Sequence, residues 1–90
     1  MIFKHWDCVI ERQTYYNGRT ALVLNEKATG ERIAVATINV QEEIYDNEVV
    51  IKDYSENEGM LDALISAGIV KDTGKRIKSG FVKAPVCELL

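Results

Sequence analysis

Glu48-Val49-Val50-Ile51-Lys52-Asp53-Tyr54 runs directly into Ser55-Glu56-Asn57-Glu58-Gly59-Met60-Leu61-Asp62-Ala63-Leu64-Ile65-Ser66-Ala67-Gly68, and the hydrophobic period changes partway along. Val49, Ile51 and Asp53 share one face and Val50, Lys52 and Tyr54 the other, the two-residue period of a strand. From Met60 the spacing is helical, with Met60, Leu61, Leu64 and Ile65 on one face. Ser55 to Glu58 has the form of a capping box, in which the Ser55 hydroxyl accepts the Glu58 N–H and the Glu58 side chain reaches back to the Ser55 N–H. Glu56, Glu58 and Asp62 complement the helix dipole, and Gly68 fits a helix stop with Ile69 folding back as its apolar contact. The pattern predicts a strand over 48–54 and a helix from Glu56 to Ala67. That helix should bury Met60, Leu61, Leu64 and Ile65 against Leu22, Leu24, Val35 and Ile51 or their alternates. Gly59 inside it costs about 1 kcal/mol relative to Ala and reads as a close approach to the sheet.

Upstream, Phe3 to Gln13 alternates as a strand with Trp6, Cys8 and Ile10 inward. Asn17-Gly18 is the preferred pair for a tight hairpin. Of Tyr15 and Tyr16 beside it, one can face inward and the other is a candidate contact residue. Thr20 to Asn25 and Arg32 to Val40 hold apolar runs suited to strands covered on both faces, and with the first strand they form an antiparallel meander. Gln41 to Asn47 reads as a loop or one short helical turn. Downstream, Ile69-Val70-Lys71 and Arg76-Ile77-Lys78 flank Asp72-Thr73-Gly74-Lys75, a turn-like tetrapeptide that predicts a hairpin. Phe81 to Ala84 is a final strand that Pro85, lacking an N–H, should confine to an edge or end. The expectation is an α+β domain over residues 1–90: a twisted antiparallel sheet of about four to six strands with one helix packed on one face.

At 47% hydrophobic residues, with one Pro and six Gly, the composition is that of a folded chain and not a disordered one. No apolar run approaches the roughly 18 residues of a membrane span. Met1 to Asp7 is too charged for a signal peptide. A cytoplasmic setting with Cys8 and Cys87 as free thiols is therefore expected. No Cys-x-x-Cys pair, calcium-loop spacing or glycine-rich phosphate loop is present, so no metal, cofactor or nucleotide is expected. His5 and Cys8 would point to opposite faces of a strand, which argues against a nucleophile pair, and no catalytic residues are assigned.

Charge is unevenly spread. Residues 46–60 carry five acids, Asp46, Glu48, Asp53, Glu56 and Glu58, against Lys52 alone. Residues 61–90 carry Lys71, Lys75, Arg76, Lys78 and Lys83 against three acids. The acidic stretch suits a basic partner surface. The basic one gives nucleic acid a weaker case through Lys71, Lys75, Arg76 and Lys78, where Phe81 is the nearby stacking group.

Tyr16-Asn17-Gly18-Arg19, Ile33 to Val40 and Ile51 to Leu61 resemble a family of small uncharacterised proteins carried by bacteriophages, plasmids and conjugative elements of bacteria. The likeness runs from about Tyr15 to Ala84, and its most specific piece is the stretch from Lys52 to Gly59. It implies a bacterial host cell and a mobile genetic setting. The order of three strands and then Ser-Glu-Asn-Glu opening a helix is also similar to that of a small, far more acidic phage inhibitor of CRISPR nucleases. Charge and resemblance together predict a non-enzymatic accessory protein, such as a host-defence inhibitor, that binds a host or element-encoded protein. Its contact residues would be Glu42, Glu43, Tyr45, Asp46, Glu48, Asp53, Tyr54, Glu56 and Glu58. The competing expectation is a small-molecule-binding protein or small hydrolase with its pocket at a homo-oligomer interface, motivated by the dense polar run from Lys52 to Asn57.

Overall fold

Two four-stranded antiparallel sheets share one course of chain and enclose a single helix in the computed structural model, which describes all of residues 1–90. The strands are β1 (Ile2–Phe3), β2 (Trp6–Thr14), β3 (Thr20–Glu26), β4 (Arg32–Val35), β5 (Thr37–Ile38), β6 (Glu48–Ile51), β7 (Val70–Ser79) and β8 (Val82–Leu89); the helix α1 is Met60–Ser66. The first sheet has the order β1-β2-β3-β4 and the second β5-β6-β8-β7. The class is α+β, as the periodicity predicts.

The sheets meet at Ala36. Its N–H donates to the Leu22 carbonyl on β3, and its carbonyl accepts from Lys52 N–H just beyond β6. One residue thus hands the strand from one sheet to the next. Beside it the Thr37 hydroxyl accepts the Leu22 N–H and pairs with the Tyr15 hydroxyl at 2.8 Å. The helix α1 touches both β1 and β7, the outer strands of the two sheets, and fills the space between them. Leu22, Leu24, Ala36, Val49, Ile51, Met60 and Leu64 form the centre of the main core, with Phe3, Cys8, Val70 and Cys87 around it. The second sheet is covered on its other face too: Val50, Ala84 and Val86 pack under Val40, with Ile38, Ile44 and Ile77 alongside. Burial on both faces is why 49–51 and 21–24 are continuous apolar runs.

Several expectations are corrected. The helix is shorter than Glu56 to Ala67, because Ser55–Asn57 forms a separate 3₁₀ turn. There is no capping box: Ser55 lies at φ +58° and its side chain makes no cap hydrogen bond. Asp53 does that work, its Oδ1 accepting the Leu61 N–H at 2.9 Å. Gly59 is not an interior helical residue but the N-cap, at φ +94°, and open space surrounds the position of a Cβ there. Backbone conformation and not close packing selects glycine at this point. Met60 and Leu64 are fully buried and Leu61 half-buried, but Ile65 is 42% exposed. Val35 is only half-buried, and Ala36 takes its place in the core. The C-terminal stop stands, with Gly68 N–H on the Ile65 carbonyl and Ile69 N–H on the Leu64 carbonyl.

The strand from Glu48 ends at Ile51 and not at Tyr54. Asp72-Thr73-Gly74-Lys75 is a bulge within the ten-residue β7, not a hairpin. Pro85 lies inside β8, a central strand. It is accommodated there because the β6–β8 pairing ends at Val50↔Val86, one residue short of it. The true hairpin is β7–β8, closed by Gly80-Phe81. The first predicted strand is likewise two: Lys4 at φ +54° turns β1 back onto β2.

Candidate protein-binding surface

The nine residues expected to form the contact surface separate into structural and free groups. Glu48 is 5% exposed. Its carboxylate accepts the Tyr45 N–H at 2.9 Å and pairs with Lys75 Nζ at 2.6 Å. The bulge in β7 places Lys75 at this distance, across β8 from its own strand. These hydrogen bonds, to Lys75 first and then to Tyr45, hold the Glu48 carboxyl below the usual range. The expectation that Glu48 belongs to the exposed acidic surface is therefore corrected: a carboxylate on a strand buried on both faces must find a cation. Asp53 is occupied by the helix N-terminus. Glu56 pairs with Lys52, whose hydrogen bond lowers its carboxyl to about 2. Tyr54 is half-buried, with Lys52 Nζ 5.7 Å from its ring centre. Asn57 is buried and donates to the Val35 carbonyl at 2.7 Å. The polar run from Lys52 to Asn57 thus has structural partners.

Glu42, Glu43, Tyr45 and Asp46 remain. All four are exposed, on the loop between β5 and β6, and none of the three acids forms an ion pair. Tyr45 is 73% exposed. Tyr16, at the tip of the β2–β3 hairpin, is 88% exposed and joins the same surface, its hydroxyl accepting from Gln41 Nε2 at 3.3 Å. Tyr15 turns inward to Thr37, so the pair divides as expected. Sequence reasoning made one of Tyr15 and Tyr16 a candidate contact without deciding which, and did not join it to the acidic loop, since that junction depends on tertiary contacts. Glu58 is exposed but lies at the helix start and not on this loop.

The loop is held firmly for a connection of nine residues. Arg19 donates to the Val40 carbonyl at 2.7 Å, Asn17 Nδ2 to Asn39 Oδ1 at 3.1 Å, and Glu48 fixes Tyr45 from below. Ile44 packs into the second core. Lys75 Nζ sits 5.0 Å from the Tyr45 ring centre. Tyr45 divides two depressions: one of 290 Å³ is lined by Glu43, Ile44, Glu48 and Lys75, and one of 220 Å³ reaches toward Arg19 and Asp46. A third, of 490 Å³, lies against His5 and Trp6 at the far end of β2.

No group of three or more His, Cys, Asp or Glu converges to hold a metal, and no helix is long and apolar enough to cross a membrane. Cys8 and Cys87 are free and buried in the main core. Desolvation raises both thiols, Cys87 to about 11. No protein family, curated protein or solved structure matches the chain.

Proposed function

We propose that this chain is a non-enzymatic binding protein that presents the loop 41–47 and Tyr16 to a basic surface on a protein partner. The observation that carries this reading is the pairing of two exposed tyrosines with three carboxylates that have no internal cation. Tyrosine combines a large apolar body with a polar tip at low rotamer cost, the combination favoured at interface hot spots. Unpaired rim acids steer a basic partner and speed encounter. The hydrogen bonds that Arg19 and Asn17 donate and Glu48 accepts organise the loop beforehand, which lowers the ordering cost of association. The sequence likeness to mobile-element proteins supports a bacterial host protein as the partner, including one of a defence system.

The test is affinity capture from bacterial lysate with the wild type, Tyr45→Ala, and the triple reversal E42K/E43K/D46K. A specific captured protein should be lost with either variant and released as salt rises, while thermal stability of both variants stays near wild type. Capture that survives the triple reversal and high salt would overturn the electrostatic surface.

A further inference from the structure

We propose that the tip of the β7–β8 hairpin is a second binding site, for single-stranded nucleic acid, with Phe81 as a stacking platform and Lys78 and Lys83 as a phosphate clamp. It is independent of the acidic loop. Three separate features meet at this tip. Gly80-Phe81 is a two-residue turn between Ser79 and Val82, with Gly80 at φ +61°, the positive value that a type II′ turn requires of its first central residue. That geometry leaves the second position open to almost any side chain. A polar residue would serve the turn equally well, yet a phenylalanine occupies it, fully exposed.

Lys78 and Lys83 stand directly opposite each other across the two strands. Directly opposed residues share a face, so the two ammonium groups repel. Two other cations of the hairpin are paired, Lys75 with Glu48 and Arg76 with both oxygens of Asp72, and Lys71 stands opposite an acid, Glu88, without forming an ion pair with it. Lys78 and Lys83 are exposed and have no carboxylate partner. Finally, β6 pairs with β8 only as far as Val50↔Val86, so residues 76–79 and 82–85 continue past it as a two-stranded ribbon. An anion placed between the lysines would relieve their repulsion, and a flat apolar group would cover Phe81. A nucleotide with an unstacked base supplies both.

The faces of the ribbon decide between a strand and a lipid surface. Ile77 and Ala84 point to the second core, the side on which Ile44 of the acidic loop packs. Lys78 and Lys83, one residue along on each strand, point to the other side. A nucleic-acid strand can lie along the lysine face alone. A planar anionic bilayer meeting the tip would meet both faces of the ribbon, including the side on which the acidic loop packs. Duplex is disfavoured because its bases are already stacked. With two phosphate-facing cations, the slope of log K against log salt should be about −1.4 for a single strand.

Fluorescence anisotropy of a labelled twelve-residue oligothymidylate, titrated with the full chain at low salt, reads the site. Weak, salt-sensitive binding is expected. Phe81→Ala and K78E/K83E should each weaken it at least fivefold, and E42K/E43K/D46K should leave it unchanged or tighten it. All three residues at the tip are exposed, so circular dichroism should show unaltered folding. Equal binding by wild type, Phe81→Ala and K78E/K83E would overturn the proposal. So would tip-dependent binding to phosphatidylserine vesicles without binding to the oligonucleotide, or a preference for duplex of the same length.

Discussion

Glu48 stands at the head of a strand whose four side chains are all buried, and an ionised carboxylate there needs compensation. Lys75 and the Tyr45 N–H provide it. Glu88 stands opposite Glu48, so Lys75 also offsets a pair of facing acids. Because the folded Glu48 carboxyl lies below its usual value, the folded state binds fewer protons there than the unfolded chain. Its contribution is therefore complete above the unfolded value of about 4.3 and disappears as pH falls through the lower folded value. Lys75→Met removes the cation but keeps the aliphatic stem. It should destabilise the protein by about 1–2 kcal/mol near neutral pH, the cost of a buried group losing a partner. It should also flatten the loss of stability on acidification. Urea midpoints measured from pH 7 to 3 for both proteins check this, and parallel profiles would show that the pair does not act as described.

At the scale of elements, the start of α1 separates two accounts of the segment from Asp53 to Gly59. If Asp53 is the cap, Asp53→Ala should cost about 1 kcal/mol, lowering Tm by roughly 4–8 °C in a domain of this size. Ser55→Ala should cost less than half of that, because the Ser55 hydroxyl makes no cap bond. The reverse order in a thermal melt would restore Ser55 as the cap. Features governed by neighbours in sequence were legible: the meander, the turn at Asn17-Gly18, the two faces of 48–51 and the Gly68 stop all follow from local period and turn chemistry. The helix start was not, because a capping box is defined by residue types, whereas here a side chain from before the 3₁₀ turn reaches over it to Leu61. Asp72-Thr73-Gly74-Lys75 misled for a related reason, since a bulge and a hairpin turn draw on the same residues. Pro85 argued against a central strand, and only the tertiary register shows that β6 has ended beside it. The acidic surface was visible as a count of charges. Which acids were free was not, because Lys75 and Glu48 lie 27 positions apart and meet only through the sheet.

For the whole molecule, the main core draws its residues from both sheets and the helix, so opening either sheet disrupts a core that both share. Cys8 and Cys87, one near each end of the chain, are both in this core, and burial keeps their thiols protonated. A thiol-reactive disulfide reagent at pH 8 should modify neither in the native state, and both should react together in denaturant. A fast native-state phase from one cysteine would show that its sheet opens separately. The order of strands in the second sheet has a further consequence, in time. β8 follows both β6 and β7 in the chain, yet it lies between them. On the ribosome the first sheet is complete in sequence once β4 has emerged. β6 and β7, by contrast, wait with their facing edges unpaired until β8 has left the exit tunnel. The second sheet is thus half built until then, and the interval before β8 arrives is when those open edges are most exposed to other chains.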